Sequence, residues 1–111
     1  YLGLNKKYFG NEVVLDPDIE MEWARIPHFY NSFYVYKYAT GFSAAVSLSR
    51  QILEEGLPAV ERYITFLKSG GSDYPIELLK NVGVDLSSPG PIEEAMIVFG
   101  EISEELSTLL T

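Results

Sequence analysis

No cysteine occurs among the 111 residues, and there is a single histidine, His28. Without a thiol the chain can form no disulfide framework, no cysteine zinc finger and no thiolate nucleophile. With one imidazole it cannot supply a two-histidine metal motif. The missing thiols suit a reducing compartment, and the expected location is cytoplasmic. Positive charge is scarce: 8 Lys and Arg stand against 16 Asp and Glu, a formal net charge of −8. The deficit is uneven, about −2 over residues 1–56 and about −6 over 57–111. Phosphate neutralisation needs a basic face, so nucleic acid is a poor partner, and an anionic membrane surface is disfavoured for the same reason. No apolar run approaches the roughly 18 residues of a membrane-spanning helix, and the first twenty residues lack a signal-peptide pattern. The opening "YLGLNKKYFGNEVV" starts without methionine and reads as the interior of a longer chain.

What is present favours a folded chain: 47 % of residues are hydrophobic and 14 % aromatic. The length allows one small core or a piece of a larger one, and we expect residues 1–111 to be a single helical piece. Residues 1–17 show no sustained period and are expected to be an irregular lead-in, with a short extended stretch around Val13, Val14 and Leu15. From residue 18 onward the pattern is helical. Asp16-Pro17-Asp18 opens a short helix, "DIEMEWARI", which Pro27 closes by disfavouring helical geometry at Ile26. A long helix is expected from near Phe33 to Glu55, stopped by Gly56 and Pro58. "LPAVERYITFLKSGG" carries Val60, Tyr63, Ile64 and Leu67 at helical spacing. "SDYPIELLKNVG" reads as a short helix capped by Ser72 or Asp73 and stopped at Gly83. The last helix places Ile92, Met96, Phe99, Ile102, Leu106 and Leu109 on one stripe, expected to be its buried inner side beneath an acidic outer face. The fold class is therefore all-α, with about five helices. "SGGSDYP" lacks the Lys-Ser/Thr ending of a phosphate-binding loop and reads as one helix end followed by the next helix start.

The stretch "IPHFYNSFYVYKYATGFSAA" sets six aromatic side chains and His28 within eleven residues, then a run of small ones. On an unbroken helix Tyr30, Tyr34 and Tyr38 would share one face. The small residues Gly41, Ser43, Ala44, Ala45 and Ser47 would let a neighbouring helix approach closely. Periodic aromatics are most often core, but each buried phenol needs a hydrogen-bond partner, which a neighbouring helix or a substrate could supply. His28 is open to three readings: a metal ligand, a structural histidine, or a hydrogen-bond donor to a ligand. On a continuous helix His28 and Tyr38 would be separated by about 15 Å of rise. They can serve one small group only if residues 27–33 form a loop, which Pro27 and Asn31-Ser32 permit.

Four segments, "EWARIPHF", "FYVYKYATGFSAA", "RYITFLKSGGSDYPIELLKNVGVD" and "SPGPIEEAM", cover most of residues 20–99. In this order and spacing the chain resembles the C-terminal end of the oligoendopeptidase F group, within the thimet oligopeptidase-like family of zinc metallopeptidases. The resemblance implies the C-terminal helical subdomain of a zincin-type oligopeptidase that hydrolyses short peptides. Zinc in such a protein is held by an H-E-x-x-H helix and a later glutamate. This chain has no such motif, so it would hold no metal and be inactive alone, with the remainder of the peptidase chain as its partner. The family's histidine and tyrosine segment, which donates hydrogen bonds to substrate and oxyanion, falls on His28 and the tyrosines that follow. The resemblance makes Tyr38 the first choice for the oxyanion donor and Tyr34 the second, one helical turn apart. Tyr30 and His28 would contact substrate.

The rival is a free-standing acidic helical interaction module without catalytic activity. A piece of a larger enzyme should leave an apolar, tyrosine-rich face exposed and could self-associate to cover it, whereas a complete domain should bury that face.

Overall fold

The protein is described here from a computed structural model, over residues 1–110. Secondary structure among these residues is helical throughout. The chain divides into two compact units, Tyr1–Tyr36 and Lys37–Thr111.

The first unit starts with helix α1, Leu2–Phe9. This corrects the expected irregular lead-in over residues 1–17: only Tyr1 and residues 10–16 lack regular structure. Gly3 and Asn5 are weak helix formers and hid the helix from propensity. Its first turn closes through backbone bonds from Leu4 and Asn5 to the Tyr1 carbonyl, at 3.0 and 3.1 Å. A 3-10 helix follows at Pro17–Arg25, capped by Asp16, whose carboxylate accepts from the Asp18 amide at 2.9 Å. The cap and its proline are as the sequence implies, but the winding is tighter than an α-helix and far longer than the usual three or four residues. Prolines bound this segment on both sides, and none of its residues is buried against a partner. Ile26, at φ −94° and ψ 107°, is extended. Clash with the Pro27 ring accounts for that break. A second short 3-10 turn spans Pro27–Tyr30.

In the second unit α2 runs over Tyr36–Glu55, so it begins later than the expected Phe33. A single residue, Gly56 at φ +71°, separates it from α3, Leu57–Ser69. Helix α4, Pro75–Asn81, has Tyr74 at its N-cap with no side-chain cap, which corrects the expected capping by Ser72 or Asp73. Asp73 instead accepts from the adjacent Tyr74 amide at 2.7 Å. Helix α5 spans Gly90–Leu109. No described helix is long and apolar enough to cross a membrane.

The exit of α4 is built as a Schellman motif. The Gly83 amide donates to the Lys80 carbonyl and the Val84 amide to the Leu79 carbonyl, both at 2.9 Å. Gly83 sits at φ +95°, a conformation glycine adopts without steric cost. The motif turns Val82 and Val84 inward, where both are at most 2 % exposed. Gln51 of α2 locks the turn by donating to the Gly83 carbonyl at 3.1 Å.

The buried apolar side chains, Ala44, Ala59, Val82, Val84, Pro91 and Ala95, are all small. Ser43 and Ser47 are buried too, whereas Gly41 and Ala45 are exposed, so only part of the run of small residues on α2 receives a neighbour. That neighbour is α5: the Ser47 hydroxyl donates to the Glu94 carboxylate across the helix pair. The expected inner stripe of α5 is not covered. Ile92, Met96, Phe99, Ile102, Leu106 and Leu109 all remain 46 to 76 % exposed. An amphipathic period shows that a face seeks burial, but not which neighbour supplies it.

Candidate functional site

His28 lies in the middle of the Pro27–Tyr30 turn, where Ile26 and Pro27 have redirected the chain. The Tyr30 hydroxyl donates back to the Ala24 carbonyl, tying this turn to the end of the preceding 3-10 helix. Beyond it the chain reverses through Asn31–Tyr34, closed by the Tyr34 amide donating to the Asn31 carbonyl at 3.2 Å. Phe33 occupies this reversal at φ +58°. A left-handed conformation costs a non-glycine residue roughly 1–2 kcal/mol, and the Phe33 ring, 87 % exposed, gains little from packing in return.

The reversal brings His28 and Tyr34 together, with ring centroids 5.3 Å apart and planes inclined by 34°. Residues 27–33 thus leave the α-helical path, as a 3-10 turn followed by a reversal. Tyr34 precedes α2 rather than lying on it, which corrects the placement of Tyr34 and Tyr38 one turn apart on a common helix. Tyr38 lies in the first turn of α2, in the second unit, and is 58 % exposed. Tyr30 is 69 % exposed, with its hydroxyl proton directed to Ala24 and its ring turned to solvent.

An imidazole and a phenol side by side can each present a hydrogen-bond donor to a carbonyl or an oxyanion. Neither is a metal cluster. No group of three His, Cys, Asp or Glu side chains able to hold an ion occurs among the described residues.

Sequence reasoning missed the polar bridge from α2 to α5. Arg50 pairs with Glu54 at 3.0 Å and reaches Glu94 at 3.6 Å, while Glu94 also accepts from Ser47. The bond and charge of Glu54 raise the Arg50 pKa, and Glu94 and Glu101 add to the effect. The spacing of Arg50 and Glu54 was a legible i,i+4 signal, whereas the bond from Ser47 to Glu94 spans 47 residues and left none. At the α4 to α5 link, Ser87 donates hydroxyl and amide protons to Asp85 and holds its pKa below the ordinary value. A cleft of about 570 Å³ lies beside α3 and α4, lined by Arg62, Phe66, Ser69, Asp73, Leu78 and Asn81 among others.

The sequence and the fold have counterparts in known proteins. Oligopeptidase PepF of Bacillus subtilis is 60 % identical over 99 % of this chain, and an oligoendopeptidase F homolog of Borreliella burgdorferi is 47 % identical over 98 % of it. The crystal structure of oligoendopeptidase-F from Enterococcus faecium superposes with a TM-score of 0.86 at 48 % identity, over 97 % of this chain and 21 % of that one. The chain spans 16 and 18 % of the two curated relatives, about a sixth of their length. The model of peptidase family M3 matches residues 1–98, and the chain belongs to that family.

Proposed function

We propose that this chain is the C-terminal part of a zinc-dependent oligoendopeptidase acting on short peptides in the cytoplasm. It forms cleft wall and supplies donors to the substrate and the tetrahedral oxyanion. The observation that carries this reading is the loop over residues 27–33, which places the only imidazole of the chain against Tyr34.

His28 and Tyr34 donate to the peptide backbone of the substrate. Tyr38 donates to the oxyanion, with Tyr34 as the second choice. Tyr30 contacts substrate with its ring, while its hydroxyl fixes the loop. The zinc ligands belong to the remainder of the polypeptide, and this chain by itself hydrolyses nothing. The exposed stripe of α5 favours a piece of an enzyme over a free-standing interaction module, which would bury that stripe.

The test is Tyr38→Phe in the intact peptidase. Loss of one preorganised oxyanion donor lowers kcat by roughly 10²- to 10³-fold, about 3–4 kcal/mol of transition-state stabilisation. KM should change little. An unchanged kcat moves the role to Tyr34, and unchanged activity in both variants removes the tyrosines from the chemistry.

A further inference from the structure

His28 and Tyr34 are joined by two consecutive backbone turns that share Asn31. The Asn31 amide donates to the His28 carbonyl at 3.3 Å, and the Tyr34 amide donates to the Asn31 carbonyl at 3.2 Å. The first turn is 3-10 backbone, and Asn31 leaves it extended, at φ −102° and ψ 114°. The second turn is unusual at its third position. Phe33 stands there at φ +58°, the one non-glycine residue with a positive φ among the described residues. A left-handed residue at that position of a turn is ordinarily glycine or asparagine. Any Cβ resists the conformation, and a bulky side chain resists it most. A turn closed by the same bond with a negative φ at its third position is of another type, and it sends the next residue out in another orientation. Tyr34 is that next residue, and its ring meets His28 at a centroid distance of 5.3 Å.

We infer that Phe33 is a positioning residue: its left-handed backbone sets the orientation of Tyr34 against His28, and it acts through Tyr34 rather than on the substrate. The inference rests on the reading of His28 and Tyr34 as donors to the substrate, and adds the residue that fixes their mutual geometry. Costly backbone conformations cluster at active sites and ligand clamps, where the geometry they impose is part of the mechanism. Precision of this kind matters, because a misplacement of about 1 Å can cost on the order of 10²-fold in rate.

The experiment uses four substitutions in the intact peptidase, chosen so that backbone tolerance and side-chain chemistry vary in opposite directions. Phe33→Gly and Phe33→Asn discard the apolar side chain and accept a left-handed backbone. Phe33→Val and Phe33→Ile stay apolar, but their branched Cβ rejects it. The first pair should keep kcat/KM within about threefold of the parent, and the second should lower it roughly tenfold or more. In a Tyr34→Phe background, Phe33→Ile should cost less than about twofold, because the group it misplaces is gone. A merely structural defect would subtract the same factor in both backgrounds and would overturn the inference. So would the opposite pairing, with the apolar variants active and the other two impaired, since the side chain would then make a contact of its own. Loss in all four, or in none while Tyr34→Phe is itself impaired, also overturns it. If the branched variants do not fold, Phe33→Gly and Phe33→Asn decide alone: retained activity is expected, and a loss of about tenfold contradicts.

A fluorotyrosine at position 34 separates this inference from the reading beneath it. Its fluorine resonance should shift on His28→Gln in the parent and in Phe33→Asn, and should not shift in Phe33→Ile, whatever the rates of hydrolysis. Unimpaired hydrolysis by Tyr34→Phe would end the donor role of Tyr34, and the resonance alone would then decide the role of Phe33. The same shift in Phe33→Ile as in the parent would overturn it.

Discussion

The two units are held together by different means. Residues 1–36 contain no buried side chain, and their path is set by the Asp16 cap, Pro17, Pro27 and the bond from Tyr30 to Ala24. From Lys37 onward, Ser47 of α2 is bonded to Glu94 of α5, and the α4 exit is pinned by Gly83, Gln51 and two buried valines. The unit that carries His28 and Tyr34 is thus locally shaped and little packed, and the other is the better-anchored scaffold. Weakly packed segments are where binding and moving elements are drawn from, and residues 1–36 have that character.

The largest structural effect should come from Gly83→Ala in the scaffold. A Cβ there would lie 3.1 Å from the Gln51 side-chain oxygen at a residue whose φ is +95°. The left-handed penalty and the loss of the Gln51 bond together amount to about 2–3 kcal/mol, read as a lower urea midpoint for the second unit. A loss under about 0.5 kcal/mol would mean that the α4 exit is no lock, and the contrast between the units would weaken. In the first unit Asp16→Ala should cost about 1 kcal/mol. The effect should be local: faster amide exchange around residues 17–20, with the unfolding midpoint of the second unit unmoved. Global destabilisation by this variant would contradict the division.

The smallest effect concerns pH. Because Ser87 lowers the pKa of Asp85 in the folded chain, the stabilisation is fully present above the unfolded value near 3.9. It is lost as pH falls through the lower folded value. Asp85 is exposed, so the acid-induced change in the midpoint should be slight, and Asp85→Asn should remove that slight part. An opposite slope, with stability rising on acidification in this window, would refute the assignment.

How much of this was legible depended on range. Ile26 breaks because of its neighbour Pro27, Asp16 caps from two residues away, and Gly56, Gly70 and Gly83 end helices through their own backbones. Such signals lie within a few residues of their effect and were readable. Helix α1 was not, since Gly3 and Asn5 argue against it and no buried face marks it. The start of α2 was misplaced because Phe33 adopts a left-handed conformation that its residue type does not advertise. For the candidate site, the need for a loop at residues 27–33 followed from helical rise alone. The turn that puts Tyr34 against His28 did not. The exposure of α5 was misjudged because periodicity reports the demand for burial and is silent on the neighbour.

The most direct test of the account is His28→Gln in the intact peptidase, measuring peptide hydrolysis and bound zinc on the same samples. The account predicts unchanged zinc content with kcat/KM lowered on the order of 10²-fold, as for loss of a donor to the substrate. Zinc lost in step with activity would make His28 a metal ligand, and unchanged activity would make its contact with Tyr34 structural; either result contradicts the central claim.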